Sequence, residues 1–202
     1  MDGSYYEYEE DGAYCYPGTR VLRNRLGIRD AGTLASAERD FSSLRAAAID
    51  KGDANIAETF DSDYLRAIHR YLFGDVYDWA GEYRTVNISK GSVFCMWPYI
   101  GEQLDALFGM LAGEGLLEGL PPEAMAARLA FYLGEINAIH PFREGNGRTQ
   151  RAFVRQLAKR DGYLLSFAGV SDAEMVAASV RSFNGDNGEL ESLVARCLSR
   201  LP

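Results

Sequence analysis

His140-Pro141-Phe142-Arg143-Glu144-Gly145-Asn146-Gly147-Arg148-Thr149-Gln150-Arg151 joins two helical patterns, and its reading decides how the rest of the chain is arranged. Upstream, residues 123–138 read EAMAARLAFYLGEINA, apolar nearly all round, as expected of a helix at the centre of a bundle. Pro141 blocks its continuation, a loop with two glycines follows, and a new helix is expected to start near Arg148. The loop therefore lies at a helix N-terminus. Free backbone N–H groups and the positive end of the macrodipole attract an anion there, and Gly145 and Gly147 permit the close approach a phosphate needs. Two glycines around Asn146 also make an ordinary turn, so the case rests on their neighbours.

Arg148 and Arg151 are three residues apart, so on a helix they project over the same end, where guanidinium forks can hold phosphate oxygens. A solvated basic face is the competing reading. Glu144 would repel a phosphate unless a divalent cation stood between them, and Mg²⁺ commonly binds through one or two carboxylates plus phosphate oxygens; a surface salt bridge to an arginine is the alternative. His140 is one of two histidines in the chain and a general base if a hydroxyl is held within reach, although a lone histidine at a helix end is often only a cap or a core residue. A base, a metal carboxylate, an anion loop and two arginines within twelve residues point together to an enzyme acting on a nucleotide. There is no Walker A pattern to offer a second phosphate site.

Working outward, a long helix is expected from residue 33, capped by Thr33, with Leu34, Ala37, Phe41, Leu44 and Ala48 inward. A second, capped by Asp61 or Ser62, carries Tyr64, Leu65, Ile68, Tyr71, Leu72 and Val76 on its apolar face and stops at Gly81. His69 lies inside it with no carboxylate or cysteine at ligand spacing, which assigns it to packing or surface rather than to the site. Residues 83–88 (YRTVNI) and 93–97 (VFCMW), joined by Ser89-Lys90-Gly91-Ser92, predict a short β-hairpin, the only convincing strand signal. Helical spacing resumes over 101–116, 149–160, 171–182 and 189–200. The fold class is mainly α: a helical bundle with a short hairpin.

With 202 residues, 47% hydrophobic and 25% charged, the chain has the composition of one globular domain over 1–202, an N-terminal arm and helices to residue 60 preceding a core from about 61 to 200. A net charge of −8 argues against broad nucleic-acid binding. Cys15, Cys95 and Cys197 form no ligand or disulfide pattern and read as free thiols of a reducing compartment. The acidic, aromatic start MDGSYYEYEEDG is unlike a signal peptide, and no apolar run approaches the length of a membrane span; a cytoplasmic protein is expected.

Residues 140–151 fit, position by position, the signature HxFx(D/E)GNGRxxR of the Fic family. Residues 16–28 (YPGTRVLRNRLGI) and 75–91 (DVYDWAGEYRTVNISKG) also resemble small bacterial Fic proteins, so the likeness covers nearly the whole chain. It implies the Fic fold and a protein adenylyltransferase that moves AMP from ATP to a Ser, Thr or Tyr hydroxyl of a target protein. By similarity His140 is the base, Glu144 holds Mg²⁺, Gly145, Asn146 and Gly147 cradle the phosphates, and Arg148 and Arg151 clamp them. Phe142 would anchor the loop, and the hairpin around Ile88, Ser89, Lys90 and Gly91 would be the target-binding flap, pairing with an extended target segment by β-augmentation. A kinase-like branch of the family has lysine where Gly147 stands, which favours AMP transfer here; phosphocholine or UMP transfer, AMP removal, and a silent nucleotide-binding module remain alternatives.

Many Fic proteins carry an inhibitory helix reading (S/T)xxxE(G/N). In this chain Glu114, Glu118 and Glu144 are followed by Gly, but Met110, Glu114 and His140 stand four residues before them. The resemblance then implies the toxin of a toxin–antitoxin pair, restrained by a separate small antitoxin that binds near Arg151. Some relatives of that class modify subunits of type II DNA topoisomerases.

Overall fold

In the computed structural model, which describes residues 7–8, 11–90 and 92–201, helix α4 (Pro122–Ile139) is the axis of the bundle. Its buried residues include Met125, Leu129, Tyr132, Leu133 and Ile136, which point to several sides, and a stripe of Ala124, Arg128, Phe131 and Glu135 reaches solvent. Around it stand α3 (Ile100–Gly113), α5 (Asn146–Arg160), α6 (Asp172–Phe183) and α7 (Gly188–Cys197). Gly134 makes the close packing against α6 possible, because a Cβ there would run into the Ser182 hydroxyl. On the far side of α5 lie α1 (Ala31–Lys51) and α2 (Ser62–Phe73). Phe153, fully buried on α5, ties the two halves together, with ring centroids 5.8 Å from Phe60, 5.7 Å from Tyr64 and 5.0 Å from Phe108.

Several boundaries differ from the sequence expectation for identifiable reasons. Asp30, not Thr33, caps α1: its carboxylate accepts the Thr33 N–H at 2.8 Å, and the cap lies three residues earlier. The inward face of α1 also differs. Leu34 is buried, but Phe41 and Leu44 are 37% and 69% exposed, while Glu38 and Ser42 are buried because Arg148 reaches them from α5. Asp61 caps α2 as expected, yet the helix ends at Phe73, and Gly81 lies in a later turn with φ 86°. Helix α5 begins at Asn146 rather than near Arg148, for a reason that belongs to the site.

The hairpin is shorter than its β-rich sequence predicts. Only β2 (Ile88–Lys90) and β3 (Ser92–Val93) pair, and Trp97–Tyr99 turn into a 3₁₀ segment. Strand β1 (Glu7–Tyr8) adds antiparallel to β2 with Tyr8 opposite Ile88, giving the sheet order β1-β2-β3. Two further strands, β4 (Tyr163–Leu165) and β5 (Leu198–Arg200), pair across the C-terminal helices, so the expected helix over 189–200 stops at Cys197. The arm expected over residues 1–19 falls partly outside the described residues; from Tyr14 and Cys15, both buried, the chain is packed on the body. Among the described residues no helix is long and apolar enough to cross a membrane. The architecture is mainly helical with a small hairpin sheet, as the fold class requires.

Phe153→Ala removes the ring on which three aromatic neighbours from α2, α3 and the segment before α2 converge. Urea unfolding followed by circular dichroism is expected to show a loss of about 3–5 kcal/mol with an unchanged slope.

Candidate active site

Helix α4 ends abruptly at His140, which caps it in the left-handed conformation (φ 51°, ψ 60°). Six residues later the chain must enter α5. The reversal is held by Asn146, whose side-chain oxygen accepts the Phe142 N–H at 2.9 Å and whose amide donates to the Phe142 carbonyl at 2.7 Å. Gly145, at φ 81°, is the helix cap, and a Cβ there would strike the ring of Phe73. Phe142 is buried and stacks on His69 with centroids 3.8 Å apart. His69 Nδ1 accepts the Gly81 N–H at 2.8 Å, so Nε2 carries the proton and donates to the Glu144 carbonyl at 3.0 Å. The packing role expected of His69 therefore extends to the loop itself. Burial lowers its pKa to about 3, which keeps it neutral.

His140 faces a cavity of about 490 Å³. Its Nδ1 lies 3.2 Å from the Asn137 carbonyl, an acceptor only, so Nδ1 is the protonated nitrogen and Nε2 the basic one. Burial first, then the charges of Arg84 and Lys90, lower the imidazole pKa to about 3. The ring of Phe94 stacks on the imidazole at 4.0 Å and fixes its plane. One wall of the cavity is polar, formed by Lys90, Asn137, Gly147, Gln150 and Arg151; the other is apolar, formed by Met175, Val176, Val180 and Phe183 of α6. A site with a basic, N–H-rich side and an apolar side suits a nucleotide: phosphates on the first, the flat base against the second. Gln150 is 3% exposed, and its side-chain oxygen has no hydrogen-bond partner.

The two arginines do different things. Arg151 borders the cavity and has no salt bridge among the described residues; burial lowers its pKa, and Asp172 opposes the shift. Arg148 is not on the cavity wall. Its guanidinium is held by the buried carboxylate of Glu38 and by Ser42 Oγ at 2.9 Å, packs over Phe73 at 4.7 Å, and comes within 3.8 Å of Glu144. Tyr77 donates its hydroxyl to the same Glu38. The pKa of Glu144 is raised, by burial and then by the Glu38 carboxylate, with its bond from the Gly145 N–H at 2.8 Å and Arg148 pulling the other way. Asn146 is turned into the loop, so its side chain closes the backbone and its N–H is what it can offer an anion.

On the hairpin, Ile88 is buried, Ser89 and Lys90 are half-buried, and Gly91 lies outside the described residues. Among the described residues no cluster of three metal-ligating side chains occurs. The carboxylate of Glu144, about one third exposed and beside the N-terminus of α5, fits the other arrangement open to Mg²⁺, one carboxylate completed by phosphate oxygens and waters.

Sequence reasoning missed Arg84 and Glu38. Both are charged residues in stretches read for their apolar pattern, and nothing in their spacing marks them. Arg84 sits fully buried behind His140, and Glu38 lies on the helix face that Phe41 and Leu44 were expected to fill.

The Fic/DOC family pattern matches residues 59–158. Over 96% of its length the chain is 40% identical to the protein adenylyltransferase VbhT of Bartonella schoenbuchensis, of which it spans 40%. It is 42% identical to the probable protein adenylyltransferase Fic of Salmonella typhimurium over 92% of both chains. The crystal structure of the BepC protein from Bartonella tribocorum with bound AMPPNP superposes with a TM-score of 0.86 and 25% identity, covering 94% of this chain and 98% of that one. Identity at this level along nearly the whole of the Salmonella protein, on the same helical fold, means that the chain belongs to the Fic/DOC family.

Proposed function

We propose that the chain is a protein adenylyltransferase that moves AMP from ATP to a side-chain hydroxyl of a target protein, with His140 as the general base. The hydroxyl oxygen attacks the α-phosphorus, the bond to pyrophosphate breaks, and the proton passes to His140 Nε2. The observation that carries this reading is the tautomer: the Asn137 carbonyl holds the proton on Nδ1, which leaves Nε2 basic in a histidine that lines a nucleotide-sized cavity. The names of the relatives at about 40% identity, and AMPPNP bound to BepC, support the same chemistry.

The N–H groups of Asn146 and Gly147 at the start of α5 receive the phosphates, Gly145 supplies the turn that brings them there while its own N–H is held by Glu144, and Arg151 clamps the phosphates from the cavity wall. Glu144 would hold Mg²⁺, which when bound neutralises charge on the phosphate oxygens. Arg148, engaged by Glu38, acts from behind Glu144. Phe142 keeps the loop anchored by its stack on His69.

For the target, the flap around Ile88, Ser89, Lys90 and Gly91 supplies the backbone register. One edge of β2 is already taken by β1, so a target segment adds at β3, the free edge of the hairpin itself, where Val93 is 61% exposed. A small antitoxin protein would present a carboxylate to Arg151, the cavity arginine with no salt bridge among the described residues. A type II topoisomerase subunit is the first target to assay.

Three measurements test these assignments. Incubation of a cell lysate with ATP labelled at the α- or the γ-phosphate is expected to label protein from the α position only, and His140→Ala to abolish it. Labelling from γ alone would make the enzyme a kinase, and nucleotide binding without labelling would make it a binding module. Because the imidazole pKa is about 3, the base stays neutral in mildly acidic solution: the rate at saturating Mg²⁺-ATP should change less than about twofold between pH 8 and pH 6. A histidine with the ordinary pKa would be about three-quarters protonated at pH 6 and lose rate in proportion. Chelation of Mg²⁺ is expected to stop the reaction, and Glu144→Gln to raise the Mg²⁺ concentration for half-maximal rate about tenfold or more.

A further inference from the structure

Arg84 is 1% exposed, and its guanidinium has no carboxylate partner among the described residues. A buried cation ordinarily pairs with an anion, because its desolvation is otherwise uncompensated. Here every acceptor is a backbone carbonyl: Nε donates to His140 at 2.8 Å, Nη1 to Val86 at 2.7 Å, and Nη2 to Cys95 at 2.5 Å and to Ile139 at 3.2 Å. The backbone N–H of Arg84 adds a bond to the Pro141 carbonyl at 2.9 Å.

These acceptors fall into two groups. Ile139 and His140 are the last carbonyls of α4, unsatisfied within the helix and at the negative end of its dipole, which compensates the charge in place of a carboxylate. Val86 and Cys95 flank the hairpin on its two sides. Between them, Phe94 stacks on the His140 ring, and the Cys95 N–H donates to the Ala138 carbonyl at 3.2 Å. His140 itself is held with φ 51°, a left-handed backbone that costs a non-glycine residue about 1–2 kcal/mol and persists only where its surroundings impose it.

We propose that Arg84 is a positioning residue for the transfer reaction: its guanidinium locks the stem of the hairpin to the peptide that carries His140, so that a hydroxyl presented on the hairpin arrives in register with the base. This rests on His140 being the base. An apolar side chain of similar volume would fill the same space without burying a charge, but it would leave the hairpin and the end of α4 free to shift separately. The charged groups acting on the imidazole are Arg84 and Lys90, and each disfavours its protonation.

The test uses the full chain with Arg84→Lys, which keeps the charge and loses the fork, Arg84→Met, which loses both, and His140→Ala as reference. Affinity for Mg²⁺-AMPPNP is measured by calorimetry, protein labelling from α-labelled ATP at saturating nucleotide, and the imidazole titrations by NMR. With only two histidines in the chain, His69 serves as internal control. Arg84→Lys is expected to bind the nucleotide within about threefold of wild type and to label protein about 10- to 100-fold more slowly, as displacement of a base by an ångström or less would cause. In Arg84→Met the His140 pKa should rise, since a neighbouring positive charge is gone, while that of His69 stays in place.

Unchanged labelling in both variants, or a loss that follows only the folded fraction with the His140 resonances unmoved, overturns the proposal. Should both variants fail to fold, hydrogen exchange on the wild-type chain decides. The Arg84 Nε–H and the amides of Cys95 and His140 should then share one protection factor, and exchange of the Arg84 Nε–H far faster than those amides overturns the coupling. Full labelling by His140→Ala would instead remove the base assignment itself, and this inference with it.

Discussion

The two hydrogen bonds between the Asn146 side chain and the backbone of Phe142 are the constraint on which the site depends. A helix that ends at residue 139 and another that begins at 146 leave six residues for a complete change of direction, and the loop's inward-facing polar groups need partners. Asn146 satisfies a donor and an acceptor at once, and in doing so drives Phe142 into the core against His69. His69 in turn receives the Gly81 N–H and bonds the Glu144 carbonyl, so the loop is tied to the segment after α2 as well as to α5. Gly147, in the first turn of α5, is thereby brought to the border of the cavity.

The charge distribution follows from that geometry. A chain of net charge −8 collects Lys90 and Arg151 at one cavity wall, while Glu144 and Glu38 both approach the Arg148 guanidinium. Arg148 thus stands between two carboxylates, the nearer of which comes from α1, outside the stretch that carries the family pattern. Burial first, and then the Glu38 carboxylate, raise the pKa of Glu144 against the opposing pull of Arg148, and the remaining deficit of positive charge suits a divalent cation.

Residues 140–151 were legible in sequence because their information is local: a helix stop, a glycine turn and a helix start need no distant partner. The same holds for the central helix, whose apolar residues on several sides place it inside the bundle with a narrow stripe at solvent. Legibility fails where a distant polar residue decides. On α1 the apolar residues Phe41 and Leu44 were expected inward, but a salt bridge to Arg148, more than a hundred residues away, turns Glu38 and Ser42 to the inside instead. The hairpin looked long because residues 83–88 and 93–97 are rich in β-formers, yet the Val86 and Cys95 carbonyls are taken by Arg84 rather than by each other's strand. Strands β4 and β5 are three residues each and meet only after two helices have intervened, so no local pattern announces them.

The way Arg84 is held has a consequence for sequence change in the family. Its acceptors are peptide carbonyls, which every amino acid supplies, so Val86, Cys95 and Ile139 can be replaced by residues of other chemistry without removing a single bond to the guanidinium. A substitution at Arg84 cannot be compensated by any partner side chain, since no partner side chain takes part. The junction between hairpin and base is therefore constrained at one position and free at the others. A search for correlated substitutions, which finds contacts by the joint drift of two side chains, would pass over it.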